Sequence, residues 1–133
     1  MFEWKEEFAT GVASVDAQHK TLFQIGAELY EAMSRGQGKT AANGLLARLV
    51  EYTVKHFAHE ERLMQMTAYP ELAAHRKEHE ALKAQVLKFQ DDVKAGHAVV
   101  TVQLLQFLKQ WLEGHIKNSD KKYAPHLGAK KVA

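Results

Sequence analysis

Five polar residues, His56, Glu60, His75, His79 and His115, fall on the apolar stripes of this 133-residue chain, where packed helices ordinarily carry leucine or isoleucine. Burying an unpaired imidazole or carboxylate costs about 1 to 3 kcal/mol, so several together would cancel much of a small domain's stability unless they share a partner. The chain contains no cysteine. Disulfide frameworks, thiol catalysis, cysteine-held zinc and iron–sulfur clusters are therefore excluded, and any metal must be held by nitrogen and oxygen.

Spacing tests whether these side chains can converge. Residues four apart lie about 40° from each other on a helix, so His56 with Glu60 and His75 with His79 each form a convergent pair. Asp120 follows His115 by five residues, about 140° around an ideal helix, so its participation requires a local wide turn or a frayed helix end.

The elements that must position them are four helical runs. Helix A, roughly 15 to 35, carries Leu22, Gly26, Leu29 and Met33 and stops at Arg35-Gly36-Gln37-Gly38. Helix B starts near Thr40 and stops before Ala68-Tyr69-Pro70, with Leu46, Leu49, Thr53, His56, Glu60 and Leu63 on its seam. Helix C is expected to take Pro70 in its first turn and to run through Leu72, His75, His79, Leu82, Val86, Phe89 and Val93 to Gly96. Helix D runs from about Val99, with Leu104, Leu108, Trp111 and His115 on one face, and ends near Tyr123-Ala124-Pro125.

Short connections favour antiparallel neighbours, so the expected fold is all-α: an up-down-up-down four-helix bundle of about 15–123 in a single domain of 133 residues. An N-terminal arm, 1–14, precedes the bundle and a short basic tail, 124–133, follows it. In that arrangement Glu60 lies about two turns before the end of B, His75 and His79 one to two turns into C, His19 one turn into A, and His115 two turns before the end of D. All of these places fall at the same end of the bundle, to within a turn or so at about 1.5 Å per residue.

Composition bounds the rest. With 18 basic and 16 acidic residues the formal charge is only +2, spread along the chain, and no nucleic-acid footprint is visible. The N-terminus lacks the apolar run of a secretory signal, and no stretch of about 18 apolar residues exists to cross a membrane. The expectation is a cytoplasmic protein that is not inserted in a membrane, with a monomer as the default.

Other candidates are assigned bland roles. His59, three residues after His56, drifts off the seam and is read as peripheral, and His97 and His126 as solvated loop histidines. Asp16 is read as a helix-terminal carboxylate favoured by the helix dipole. Leu22, Phe57, Met64, Trp111 and Ile116 read as core from their spacing, and their place beside the polar residues makes them pocket walls as well.

Four segments carry a resemblance across nearly the whole chain: Val15-Asp16-Ala17-Gln18-His19-Lys20, His56-Phe57-Ala58-His59-Glu60-Glu61, Tyr69-Pro70 leading to His75-Arg76-Lys77-Glu78-His79, and Trp111 through His115 to Asp120. The sequence resembles the hemerythrin family, specifically its single-domain bacterial members, and all seven ligand positions of the family pattern are filled. Trp4 and Tyr123 also stand where the family commonly has aromatics. The resemblance implies two iron ions joined by an oxo or hydroxo bridge, with His75, His79 and His115 on one, His19 and His56 on the other, and Glu60 and Asp120 bridging them. It follows that the two-histidine iron keeps an open position for dioxygen, in a pocket walled by Leu22, Phe57, Met64, Trp111 and Ile116.

The function so implied is reversible dioxygen binding, for transport, storage or delivery to an oxygen-consuming respiratory enzyme or oxygenase, rather than catalysis. A di-iron oxidase or peroxidase is the main rival, but ferritin-like oxidases use carboxylate-rich sites with Glu-x-x-His pairs, which this sequence lacks. A redox or oxygen sensor would have to act through a separate partner.

Overall fold

The computed structural model describes residues 2–36, 39–96 and 102–129, and its elements are helical. Four long helices, α1 (Ala13–Ser34), α2 (Lys39–Met66), α3 (Leu72–Lys94) and α4 (Val102–His115), form the bundle. A π-helical turn (Ile116–Asp120) follows α4 without a break and leads into α5 (Lys121–Ala129). In the ring α1 lies against α2 and α4, and α2 against α3, the neighbour pattern of the expected antiparallel bundle.

Helix boundaries have local causes. The α2 terminus is a Schellman motif: Tyr69 N donates to Met64 O at 2.9 Å and Ala68 N to Gln65 O at 3.2 Å, with Ala68 at φ 53°. Tyr69 and Met64 then meet in one apolar cluster, the hydrophobic contact this motif usually carries. Helix α3 begins at Leu72, so Pro70 lies in the turn before it rather than in its first turn as expected. The expected start of helix D at Val99 lies outside the described residues.

The arm is not loose. Phe8 stacks on Phe23 with centroids 5.2 Å apart, and Phe2 lies so close to α1 that a Cβ on Gly26 would come within 2.6 Å of its ring. Asp16 holds the arm in place, accepting from Thr10 N at 2.8 Å, Thr10 Oγ1 at 2.7 Å and Gly11 N at 3.1 Å. Its carboxylate therefore serves the helix start, as expected.

The expected tail needs correction. The helix does not stop at Tyr123-Ala124-Pro125 but continues through Pro125 to Ala129, with Tyr123 and Leu127 buried. Proline inside a helix loses a hydrogen bond and crowds the preceding turn. Burial of Leu127 and a 2.6 Å contact from His126 Nε2 to Thr67 O offset that loss, so His126 is a clasp between α5 and the end of α2, not a solvated loop residue.

Two apolar clusters result, and the polar residues lie between them. Along α1 the order is Val12 and Val15, then His19, then Leu22 and Phe23; along α2 it is Leu46 to Val50, then His56 and Glu60, then Met64. Helix α3 and the α4–α5 run repeat it, with His75 and His79 between Leu72 and Val86, and His115 and Asp120 between Leu105 and Tyr123. One polar layer therefore crosses the whole bundle.

Candidate metal centre

All seven sequence-predicted ligand candidates meet in that layer, each at most 5% exposed. Their donor atoms fall into two groups, Glu60 with His75, His79, His115 and Asp120, and His19 and His56 with the same two carboxylates. Within each group the atoms lie within 4.8 Å of one another.

Asp120 reaches both groups because of the π turn. In an α-helix its five-residue offset from His115 would point it away, but a π turn closes i→i+5 hydrogen bonds and brings the two residues onto one face. Its Oδ1 then lies 3.0 Å from both His75 Nε2 and His115 Nε2, and its Oδ2 3.1 Å from His19 Nε2. The second carboxylate, Glu60, presents one oxygen to both groups, with Oε1 2.8 Å from His56 Nε2 and 3.6 Å from His79 Nε2. Its other oxygen accepts a hydrogen bond from the buried Tyr123 hydroxyl.

These contacts test whether the residues fit a cation. His56 Nδ1 lies 2.7 Å from Gln18 Oε1 and His79 Nδ1 3.0 Å from Glu61 Oε2, so each Nδ1 donates and each Nε2 turns a lone pair inward. The inward lone pair of His56 then faces an oxygen of Glu60, two acceptors in contact. His56 Nε2, His75 Nε2, Glu60 Oε1 and both oxygens of Asp120 are buried without a hydrogen-bond partner. His79 Nε2 and His115 Nε2 meet at 3.1 Å, but so many inward acceptor atoms left without a donor are the signature of a metal-binding cradle, and imidazole with carboxylate suits iron.

Electrostatics agree with that reading for His79 and the two carboxylates, whereas His19 and His115 would give up a proton on binding a metal. Burial holds His79 in its neutral form, with a pKa lowered to about 3 against the pull of Glu60, as a metal ligand requires. Burial also opposes ionisation of Asp120, but the close approach of His115, His19 and His75, at 3.0 to 3.1 Å, outweighs it in the metal-free protein and holds the carboxyl well below its usual range. Glu60 is lowered too, because His56 and His19 overcome burial and the charge of Asp120. His19 and His115 are raised: burial disfavours their charged forms, and Asp120 more than compensates.

Aromatic rings brace the ligands. Phe57 lies flat on His79, 3.8 Å between centroids and 3° between planes, and Trp111 stacks on His115 at 4.6 Å and 13°. An apolar cavity of about 40 Å³ opens beside this layer, and three of the five expected pocket walls, Leu22, Phe57 and Trp111, line it. Ile116 is buried in the same apolar cluster without lining the cavity, and Met64 belongs to the other cluster. The reason is direction along α2: the cavity is lined by Leu46, Leu49, Val50, Thr53 and Phe57, before Glu60, whereas Met64 is a turn beyond it.

His59 bonds to Ser14 Oγ at 3.0 Å and belongs to neither group. Gln18, Glu61 and Glu78, which orient or face ligand histidines, were not singled out from the sequence. Each is adjacent to a ligand in the chain, which is a signal, but adjacency alone points a helical side chain about 100° away.

Comparison with known proteins decides the family. Residues 10–127 match the model of the hemerythrin HHE cation binding domain. The chain belongs to the hemerythrin family. Among hemerythrin relatives, the bacteriohemerythrin of Methylococcus capsulatus is 37% identical over 123 residues, 92% of this chain and 93% of that protein. The myohemerythrin of Riftia pachyptila is 33% identical over 126 residues, covering 95% and 93%. The crystal structure of a wild-type hemerythrin superposes with a TM-score of 0.90 at 36% identity, covering 94% of this chain and 96% of that one. Among the described residues no helix of this hemerythrin is long and apolar enough to cross a membrane.

Proposed function

We propose that this hemerythrin binds dioxygen reversibly at a di-iron centre and acts as a carrier rather than as an enzyme. The observation that carries this reading is the unequal division of five imidazoles about two shared carboxylates. On it, His75, His79 and His115 would hold one iron and His19 and His56 the other, with Glu60 and Asp120 available to both. When bound, the iron pair supplies the electrons for dioxygen binding and, on its histidine-poor member, the vacant coordination position.

The chain's own residues do the rest. Gln18 and Glu61 fix the tautomers of His56 and His79, so their inward nitrogens are free to ligate. Tyr123 holds Glu60 by its second oxygen, leaving the first for the metals. Phe57 and Trp111 keep two imidazole rings from turning.

Release of dioxygen unchanged requires that protons be kept away. Thr53 is the only polar residue lining the cavity among the described residues, and its hydroxyl is engaged by Leu49 O at 2.7 Å. The apolar lining therefore supports a carrier. We propose further that the protein is a cytoplasmic monomer and that its dioxygen goes to an oxygen-consuming respiratory enzyme or oxygenase.

Anaerobic ferrous protein exposed to air should develop the absorption of the oxygenated form and lose it again under argon, over repeated cycles. Irreversible oxidation with sustained consumption of an added reductant would replace the carrier by an oxidase.

A further inference from the structure

The outward nitrogens of the ligand histidines are backed unequally. On the three-histidine side, His79 Nδ1 donates to Glu61 Oε2 at 3.0 Å, and Arg76 Nε holds the other oxygen of Glu61 at 3.0 Å. His115 Nδ1 is buried without a hydrogen-bond partner, with the charge of Glu78 Oε2 3.9 Å away, while Ser119 Oγ donates to Glu78 Oε1 at 2.9 Å. On the two-histidine side, His56 Nδ1 donates to the neutral amide oxygen of Gln18 at 2.7 Å, and His19 Nδ1 is buried with no acceptor. Asp16, three residues before His19, has both oxygens engaged by Thr10 and Gly11.

This asymmetry has an electronic consequence. A carboxylate that accepts the far N–H of an imidazole draws its proton outward and makes the inward nitrogen the stronger donor; a neutral amide does so far less. Stronger donation through His79, and the negative charge of the mostly buried Glu61, both favour the ferric over the ferrous ion, and the half-exposed Glu78 adds a weaker, solvent-screened charge beside His115. Arg76 offsets part of the charge of Glu61. Glu78 has no cation paired with it among the described residues.

We propose that Glu61 and Glu78 make the metal held by His75, His79 and His115 the first of the pair to lose an electron, while Gln18 keeps the metal held by His19 and His56 ferrous. The proposal rests on the di-iron reading above. Glu61, Glu78 and Gln18 are positioning residues that act through the histidines. Their effect is to localise charge in the half-oxidised protein, on the side away from the vacant position.

The test is an anaerobic redox titration of the diferrous protein with ferricyanide, a one-electron acceptor that takes one electron from each iron in turn. Two midpoint potentials are expected, and their separation sets the stability of the half-oxidised form. Glu61→Gln should raise the first potential and leave the second, whereas Gln18→Glu should lower the second toward the first. Each change should cut the comproportionation constant of the half-oxidised form by about 10- to 100-fold, the usual size of such outer effects on metal affinity. Glu78→Gln, at a half-exposed side chain whose amide oxygen can still accept from Ser119 Oγ, should raise the first potential in the same direction by a smaller amount, and keeps the test decisive should Glu61→Gln fail to fold.

Equal displacement of both potentials in the two glutamate variants, or a wider separation in Gln18→Glu, would overturn the proposal. Iron content is measured first. A wild-type protein that does not hold two irons overturns the di-iron reading itself, whereas one that holds two, oxygenates reversibly and shows no change in separation among the variants overturns only this inference.

Discussion

At the scale of single residues, function depends on which atoms of the polar layer are left without donors. His56 Nε2 is one of these and His59 Nε2, bonded to Ser14, is not. His56→Ala should therefore lower the iron content below two per chain, whereas His59→Ala leaves it at two, as measured by metal analysis after gel filtration. Tyr123 supports the layer from beneath, and Tyr123→Phe keeps its ring contacts while removing the donor to Glu60. Iron affinity should fall by about 10- to 100-fold in chelator competition, and an unchanged affinity would remove Tyr123 from the site. Five members of the layer were legible because polar side chains on an apolar stripe violate a strong rule, whereas His19 was legible from its height in the bundle and Asp120 only with the family resemblance. Gln18, Glu61 and Glu78 were not legible, because glutamine and glutamate beside a helix seam violate nothing.

At the scale of elements, the turns that end and bend helices carry the site. Ala68 occupies a left-handed position that costs an L-residue about 1 to 2 kcal/mol, and it does so in the turn that places Thr67 beneath His126. Ala68→Gly should raise stability by about 1 kcal/mol without changing iron content, measured by thermal unfolding of the loaded protein. The π turn was half legible: the five-residue interval between His115 and Asp120 demanded a wide turn, and Ile116–Asp120 is one. The run on through Pro125 was not, since proline ordinarily marks a helix end and only tertiary contacts of Tyr123, His126 and Leu127 keep this one going.

At the scale of the whole molecule, a polar layer between two apolar clusters couples folding to acid. His79 is neutral in the fold, its pKa lowered by burial to about 3 from an ordinary 6.5. The unfolded chain then binds more protons than the folded one between those values, so stability rises with pH across that window and is lost as pH falls from about 6.5. Glu60 and Asp120, both lowered, add a loss of the same sign at more acid pH, as their unfolded forms take up protons first. His19 and His115, both raised, act oppositely: their contribution is complete below 6.5 and fades as pH climbs through their folded values. Melting temperatures of the metal-free protein should thus fall on acidification below about 6.5, and His79→Leu should flatten the part between about 6.5 and 3. The bundle itself was legible from four apolar runs and short connections, whereas the continuation of its last helix through Pro125 to Ala129 was not.

The shared carboxylates also impose an order on biosynthesis. A nascent chain that has emerged through α2 already carries His19, His56 and Glu60, whereas Asp120, common to both donor groups, is translated after every other ligand. Neither cradle is whole until the π turn has left the ribosome. Metal insertion is therefore a late event in the life of the polypeptide, and a translation product arrested before Asp120 would expose four of the five histidines, or all five, to whatever metal the cell offers.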